Sequence, residues 1–174
     1  MWAILDYLIA RENNIRLVVK ATGHDFMGRS VGSNSLSIWT RYLTGTTLND
    51  DEFYPQGCGF PIKSSSITAL GGTQALELQS AAAAVNQTVI FGGSYTLSIG
   101  GYITGGGHGL LSSRYGLAAD QVLEMEVVTP KGDVLILNQC QNQDLFWAVR
   151  GVSISLPRSE PPLIMSGNCQ ADNP

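Results

Sequence analysis

One histidine of the chain stands in a short loop whose residue types suit the binding of an anion. His24 is one of two histidines in 174 residues, and it lies between Gly23 and Asp25. Arg29 follows with a fixed fork of donors that suits phosphate, and Ser30 adds a hydroxyl. Most loop histidines are surface or hydrogen-bonded residues, so this loop alone does not decide between an anion site and an ordinary turn.

The element that must position this loop is a strand. Leu17, Val18 and Val19 form a β-branched apolar run that predicts a buried strand, and the sequence breaks into a loop at Thr22. Glycines within the loop permit positive φ angles or a close approach of another group. A strand that ends in such a loop presents backbone N–H groups beyond its end.

A second loop, residues 92–109, contains eight glycines and the second histidine, His108. Ordering a glycine costs about 0.5–1 kcal/mol more free energy than ordering an alanine, so an ordered glycine-rich loop needs a structural or functional reason. A flexible linker is disfavoured because large apolar residues are interleaved with the glycines. A Rossmann fingerprint fails because Leu110 stands where the last glycine of a motif starting at Gly105 is required. The pattern predicts a cradle in which bare backbone contacts a bulky planar or phosphorylated ligand.

The other segments predict elements that frame the two loops. An amphipathic helix with Trp2, Leu5, Leu8 and Ile9 on one face should stop at Asn13 and Asn14. Residues 44–63 are expected to be loop. The other predicted elements are strands Ser35–Thr40, Ser66–Leu70 and Thr88–Phe91, a helix Gln74–Val85, a hairpin of Val122–Thr129 with Val134–Leu137, and a helix Gln143–Arg150 capped by Asn142 with Leu145, Phe146 and Trp147 docked on the core.

Composition excludes several classes of partner. A hydrophobic content of 44% with 14% charged residues indicates a folded globular chain, and a net charge of −4 without a basic stripe argues against nucleic acid. No apolar run is long enough to predict a membrane span. The N-terminus lacks the basic start and cleavage site of a signal peptide. Cys58, Cys140 and Cys169 show no CxxC pairing, so we expect neither a zinc site nor a disulfide framework, and unpaired or buried cysteines.

Four segments together resemble one family. VKATGHDFMGRS, GGYITGGGHG, SRYGLAADQVLEMEVVTPKG and DLFWAVRG resemble, in this order, the FAD-binding (PCMH-type) domain of the vanillyl-alcohol oxidase and berberine bridge enzyme superfamily, in its fungal FAD-linked oxidase branch. The resemblance implies an α+β fold with small mixed β-sheets flanked by helices. It implies a partial domain over residues 1–151, incomplete at both ends, followed by a divergent, disordered tail over residues 152–174.

The resemblance also implies roles for individual residues. His24 would be joined covalently to a methyl carbon of the isoalloxazine of FAD, and Ser94 stands where some relatives carry a cysteine that makes a second link. No catalytic residue is assigned. The implied cofactor-binding positions are Thr22, Gly23, Asp25, Gly28, Arg29 and Ser30 at the pyrophosphate; Gly100, Gly101, Tyr102, Gly105, Gly106, Gly107 and His108 along the flavin and ribityl chain; and Gly116, Leu117, Ala119, Asp120 and Val122 in a further flavin-contacting segment.

The function implied is that of a FAD-dependent oxidoreductase, in which a small organic substrate gives hydride to FAD and molecular oxygen reoxidises it. The alternatives are a catalytically inactive, truncated fragment that no longer retains FAD, and a metal-binding module using His24 and His108. The last is disfavoured because two histidines without a carboxylate or thiolate set form an incomplete metal shell. Substrate, oligomeric state and compartment stay open, although relatives are often secreted.

Overall fold

The computed structural model describes residues 8–49 and 51–151 together with the backbone of residues 164–167. Residues 8–12 form helix α1, and Asn14 ends it in the left-handed conformation at φ 52°, as the sequence predicts. Trp2 and Leu5, on the predicted apolar face, lie outside the described residues. Strand β1 (Arg16–Lys20) follows with its three central side chains buried.

Strand β1 pairs in parallel with β2 (Ser35–Trp39), so the predicted strand is confirmed, although none of its side chains is buried and Thr40 lies in the turn that follows. A parallel pair cannot be joined by a tight hairpin, because the chain must return to the starting edge before it runs in the same direction again. Residues 21–34 make this return, and the loop around His24 is its first part. The pairing therefore fixes the loop at the C-terminal end of β1.

A larger antiparallel sheet has the order β3-β4-β7-β5-β6 within the part of the chain that the structure describes. Its strands are β3 (Thr46–Asn49), β4 (Ser66–Ala69), β5 (Val122–Val128), β6 (Val134–Asn138) and β7 (Ile164–Gly167). The predictions of β4 and of the β5–β6 hairpin are confirmed. The prediction of loop over all of residues 44–63 is wrong at β3, because the four residues TTLN gain their strand structure from pairing with β4 rather than from an apolar run.

Strand β7 falls within the predicted tail. The backbone of residues 164–167 pairs antiparallel with both β4 and β5, so this short part carries regular structure. The sequence misses it because strand pairing between two distant segments supplies the order. Residues 152–163 and 168–174 lie outside the described residues, and their assignment to a tail stays a prediction.

Helix α2 (Ala75–Ala84) confirms the predicted helix, and α3 (Ile99–Thr104), α4 (Ser112–Tyr115) and α5 (Gln143–Ala148) follow along the chain. The core lies between these helices and the larger sheet, with Met125 and Leu137 fully buried at its centre. The prediction of a strand at Thr88–Phe91 is wrong. Its apolar residues are buried by packing without joining a ladder, a case that apolar runs alone cannot distinguish from a strand.

The last predicted helix differs in two details. Asn142 has φ 49° and its side-chain amide donates to the Ile136 carbonyl at 2.7 Å, so it does not cap α5 through its side chain. Phe146 is buried as predicted, whereas Trp147 is 66% exposed. Adjacent helical residues cannot all face the core, which is why one aromatic ring points to solvent.

A disulfide joins Cys58 to Cys140, so the expectation of unpaired cysteines is wrong for these two residues. The sequence gives no local signal because 82 residues separate them. Beside the bridge, the fully buried Asn138 accepts from the backbone N–H of Cys140 and donates to Glu124 Oε2 at 2.8 Å and to the Gln56 carbonyl. The disulfide and Asn138 together fasten the loop around Cys58 to the end of β6.

Replacing both Cys58 and Cys140 with alanine should lower the free energy of unfolding by about 2–5 kcal/mol, because the bridge closes a long loop in the unfolded chain. Urea unfolding of the wild type and of the double variant, each with and without reductant, measures this. Reductant should lower the midpoint of the wild type and leave that of the double variant unchanged. Equal midpoints for the two oxidised proteins would contradict a stabilising bridge.

Candidate functional site

The two glycine-containing loops meet in space. His24 Nε2 lies 2.8 Å from Thr96 Oγ1, and Ser98 Oγ lies 3.3 Å from Thr22 Oγ1. These pairs are 72 and 76 residues apart in the chain. The end of β1 and the second loop therefore form the two walls of one site.

A third main-chain segment, at Gly71 and Gly72, forms hydrogen bonds with the second loop at this junction. The backbone N–H of Gly100 donates to the Gly71 carbonyl at 3.1 Å, and the buried Ser98 donates to the Gly72 carbonyl. A side chain at Gly72 would lie 2.0 Å from the Thr40 carbonyl oxygen. The sequence predicts α2 after these glycines but gives no sign that the glycines join the two loops.

The walls enclose a cavity of about 390 Å³, within the range of about 300–1,000 Å³ that is typical of small-molecule sites. The predicted site residues that line it are Thr22, Gly23, His24, Asp25, Arg29, Ser30, Gly101, Tyr102, Gly105, Gly107 and His108. The lining residues that were not among the predicted cofactor-binding positions are Ala21, Phe26, Gly92, Gly93, Ser94, Leu97 and Ser98. All except Ala21 lie within the two predicted loops, and Ser94 is the position at which some relatives carry a cysteine.

The other predicted positions do not line the cavity. Gly28 forms the turn below His24 at φ 71°, and Gly100 packs on Gly71. Gly106 and Gly107 accept through their carbonyls from the backbone of residues 119 and 118, so the third predicted segment holds the second loop from outside. The predicted positions in this third segment are Gly116, Leu117, Ala119, Asp120 and Val122. Their contacts with a cofactor stay a prediction.

The second loop is not loop throughout. Residues Ile99–Thr104 form the short helix α3, so the prediction of one loop over residues 92–109 is wrong there. Two glycines at the start of α3 obscure its helical pattern because glycine disfavours a helix interior. Tyr102 in this helix is buried, stacks on Phe91 with ring centres 4.5 Å apart, and donates from its hydroxyl to the His108 carbonyl at 2.8 Å. These contacts of Tyr102 hold the second loop in its conformation.

Arg29 binds Asp25 rather than reaching into the cavity with its whole guanidinium group. Its Nε and Nη2 donate to Asp25 Oδ1 at 3.0 and 2.6 Å, and its backbone N–H donates to Oδ2. The side-chain hydrogen bond from Arg29 holds the pKa of Asp25 below its usual value. The predicted phosphate fork is therefore partly used within the loop, and it braces the turn that carries His24.

Two kinds of glycine surround the cavity. A Cβ at Gly107 would lie 2.7 Å from the Ala118 Cβ, so the protein itself excludes a side chain there. A Cβ at Gly93 or Gly101 would meet no protein atom within 4 Å, although both residues line the cavity. Packing does not require glycine at these two positions. Both positions therefore leave open space at the cavity wall.

The backbone donors on both walls are available to a ligand. The N–H groups of Gly23, His24 and Asp25 have no hydrogen-bond acceptor within residues 8–49 and 51–151, and neither does that of the buried Gly107. A buried N–H group is almost always paired with protein, water or ligand. A row of such donors suits the oxygens of a pyrophosphate.

The described residues contain no group of three or more His, Cys, Asp or Glu side chains that could hold a metal ion. His24 instead contacts a hydroxyl from the opposite wall. Among the helices that the structure describes, none has the length and apolar content of a membrane span.

Glycine-lined backbone walls, an imidazole and a row of free N–H donors are the features of a domain that binds a phosphorylated planar cofactor. A family profile described as "FAD binding domain" matches residues 7–138, and the chain belongs to this family. The family resemblance and the predicted α+β fold with small sheets and flanking helices are thereby confirmed.

Fungal flavoproteins are similar in sequence. The FAD-linked oxidoreductase ZEB1 of Gibberella zeae is 40% identical over an alignment of 169 residues that covers 91% of this chain and 28% of that protein. The VAO-type flavoprotein oxidase VAO615 of Thermothelomyces thermophilus is 39% identical over 143 residues, 82% of this chain and 24% of that protein. The chain thus spans less than a third of the length of these relatives.

Solved structures show the same fold. The VAO-type flavoprotein MtVAO713 from Myceliophthora thermophila C1 superposes with a TM-score of 0.82 at 33% identity, over 95% of this chain and 30% of that chain. Glucooligosaccharide oxidase from Acremonium strictum gives a TM-score of 0.78 at 17% identity, over 97% and 33% of the two chains, and shares the fold alone. Its FAD is described as 6-S-cysteinyl and 8α-N1-histidyl.

Replacing Gly101 with alanine should stabilise the protein without ligand by about 0.5–1 kcal/mol, because glycine is unfavourable inside a helix and the new methyl meets no protein atom. The same methyl should weaken binding of FAD by about 5- to 150-fold through overpacking. Thermal unfolding and calorimetric titration with FAD measure the two effects. Gly59→Ala is the control, since Gly59 also faces open space but does not line the cavity. Unchanged FAD affinity in Gly101→Ala would rule out a ligand at this wall.

Proposed function

We propose that the chain binds FAD between its two loops and is the flavin-binding part of an oxidoreductase. In this function a small organic substrate gives hydride to FAD, and molecular oxygen reoxidises the reduced cofactor. The observation that carries the proposal is the convergence of the loops on one cavity with unpaired backbone donors and open glycines on its walls. Membership of the FAD-binding family and similarity to FAD-linked oxidoreductases support it.

Each wall has a separate task in this proposal. The N–H groups of Gly23, His24 and Asp25 bind pyrophosphate oxygens, while the Asp25–Arg29 pair keeps the turn in the conformation that aims them. On the other wall, Gly93 and Gly101 admit the flat face of the ring system, because a side chain at either position would occupy that space. The flavin supplies the capacity to accept two electrons as hydride.

His24 is placed to anchor the cofactor covalently. The residue lines the cavity, its Nε2 is engaged by Thr96, and its Nδ1 has no hydrogen-bond partner in the described part of the chain. A neutral imidazole nitrogen is a good nucleophile towards an electron-poor methyl carbon of the flavin. Histidyl FAD in glucooligosaccharide oxidase supports this assignment. Ser94 cannot form the second link that a cysteine forms there, because a hydroxyl is a far weaker nucleophile than a thiolate.

Purified protein should carry yellow colour that stays with the polypeptide after denaturation. His24→Ala should lose this retained flavin, because it removes the imidazole that is proposed to form the bond. His108→Ala is the matched control, since it removes the other histidine of the same cavity and should retain the colour. Absorbance of the denatured, desalted protein and the mass of its flavin-bearing peptide measure the outcome.

The results of this experiment separate the alternatives. Flavin that is bound by the folded His24→Ala variant but released on denaturation supports binding in the cavity with covalent attachment at His24. A colourless wild type that also fails to take up added FAD would overturn the proposal and favour a fragment that does not retain the cofactor.

A further inference from the structure

The hydroxyl of Thr96 links His24, the proposed site of covalent attachment, to Ser94 at another point of the cavity wall. Thr96 Oγ1 lies 2.8 Å from His24 Nε2 and 3.3 Å from Ser94 Oγ. His24 and Ser94 line the cavity, whereas Thr96 does not. The three side chains therefore form a chain of polar atoms that leaves the cavity wall at His24 and returns to it at Ser94.

The hydrogen bonds among these three side chains can run in either of two directions. A neutral imidazole has one donor and one acceptor nitrogen, and a hydroxyl both donates and accepts. If His24 Nε2 donates to Thr96, which donates to Ser94, the lone pair of Nδ1 is left available. In the reverse order Thr96 donates to Nε2, and the proton on Nδ1 blocks that nitrogen. Because Nδ1 has no acceptor among the described residues, the first order is favoured: it gives the ring N–H a protein acceptor.

We propose that Thr96 is a positioning residue that fixes the tautomer and the ring orientation of His24, so that Nδ1 is the nitrogen that attaches to FAD. This inference rests on the proposed function, and it names a residue that acts through His24 without touching the cofactor. Ser94 completes the path, because it accepts the hydrogen bond of the Thr96 hydroxyl and reaches the cavity.

The attachment step balances as follows. A bond forms between Nδ1 and the methyl carbon of the flavin, while one methyl C–H bond and the Nε2–H bond of His24 break. The two hydrogens and the two electrons reduce the ring system, and molecular oxygen, the acceptor named above, returns it to the oxidised form with release of hydrogen peroxide. The Nε2 proton leaves through Thr96 and Ser94 to the cavity.

Thr96→Val should slow covalent attachment by about 2- to 12-fold, the loss expected for one net hydrogen bond, with the affinity for non-covalently bound FAD unchanged. Thr96→Ser keeps the hydroxyl and should attach at the wild-type rate. The rate is followed as flavin that survives denaturation after FAD is added to flavin-free protein. The ¹⁵N resonances of His24 in flavin-free protein report the tautomer, and they should show protonated Nε2 in the wild type and Thr96→Ser but a mixture of tautomers in Thr96→Val.

The two readouts distinguish failure of this inference from failure of the proposed function. If the wild type and Thr96→Val attach FAD at the same rate, Thr96 has no positioning role although the function stands. If the wild type binds no FAD, the function fails, and the nitrogen resonances still decide whether Thr96 sets the tautomer. A wild-type ring with its proton on Nδ1 would overturn the inference directly.

A different observation, on the far side of α2, carries a second inference. Asn86-Gln87-Thr88 is the one N-x-Ser/Thr triplet of the sequence, and it lies on the turn after α2. Asn86 and Thr88 are exposed, and the Asn86 side chain makes no hydrogen bond to any residue that the structure describes. A substituent on its amide nitrogen would displace nothing.

The Cys58–Cys140 disulfide indicates the kind of compartment in which this triplet can be glycosylated. Bonds such as Cys58–Cys140 form and persist in oxidising compartments, where N-glycans are also added. We infer that the chain folds in an oxidising, secretory compartment and carries an N-linked glycan at Asn86. The glycan does not interfere with the cavity, because α2 spans about 15 Å between Asn86 and its first turn, where Ala75 donates to the Leu97 carbonyl.

Protein isolated from its source organism should lose mass on treatment with a peptide N-glycosidase, with Asn86 converted to aspartate in the peptide that contains it. Alkylation before and after reduction should show Cys58 and Cys140 protected. On re-expression in the same host, Thr88→Ser keeps the triplet and should keep the mass shift, whereas Thr88→Ala should abolish it. An unglycosylated Asn86 in the isolated protein, or free thiols at both cysteines, would overturn the inference.

Discussion

The site depends on the close approach of main chain to main chain at Gly71 and Gly72. Gly72 lies so near the Thr40 carbonyl that no side chain fits between them, and its own N–H donates to the Leu43 carbonyl at 3.0 Å. On the other side, Gly71 accepts from Gly100 at the start of α3. Because β2 leads into Thr40, this contact brings the small parallel sheet to α3. The two loops meet as a consequence of it.

Glycine is present at this junction and around the cavity for two different physical reasons. At Gly72 in the junction and at Gly107 in the cavity wall, the protein fills the space that a side chain would need, so glycine serves packing. At Gly93 and Gly101 the space is open and faces the cavity, so packing does not account for glycine there, and binding of a ligand is the reason that the proposed function gives. Internal contacts therefore explain only part of the glycine content, and composition alone cannot separate a cradle from a linker.

The sequence predicts those parts of the fold that local pattern controls. β1, β4, α2 and the β5–β6 hairpin have clear periodicity or a turn signal, and both loops follow from residue types at short spacing. β3 and β7 were missed because pairing with distant strands creates them, and Thr88–Phe91 was misassigned because burial without pairing looks like a strand. The Cys58–Cys140 bridge and the contact of Ser98 with Thr22 lie beyond the reach of a single sequence, since each joins residues more than 70 positions apart. At the site, the loops were predictable and their partners across the cavity were not.

Arg29 shows why residue type is a poor guide to the electrostatics of the site. Its charge suggests direct attraction of phosphate, yet two of its donors bind Asp25, and the pair carries little net charge. Since the pKa of Asp25 in the folded protein lies below its usual value, the pair is intact above the unfolded-state pKa and is lost only as the pH falls through the lower, folded value. At neutral pH the attraction for an anion therefore comes mainly from oriented N–H dipoles at Gly23, His24 and Asp25. Such dipoles act over short distances and select a ligand by shape, which suits the proposed binding of a pyrophosphate at this wall.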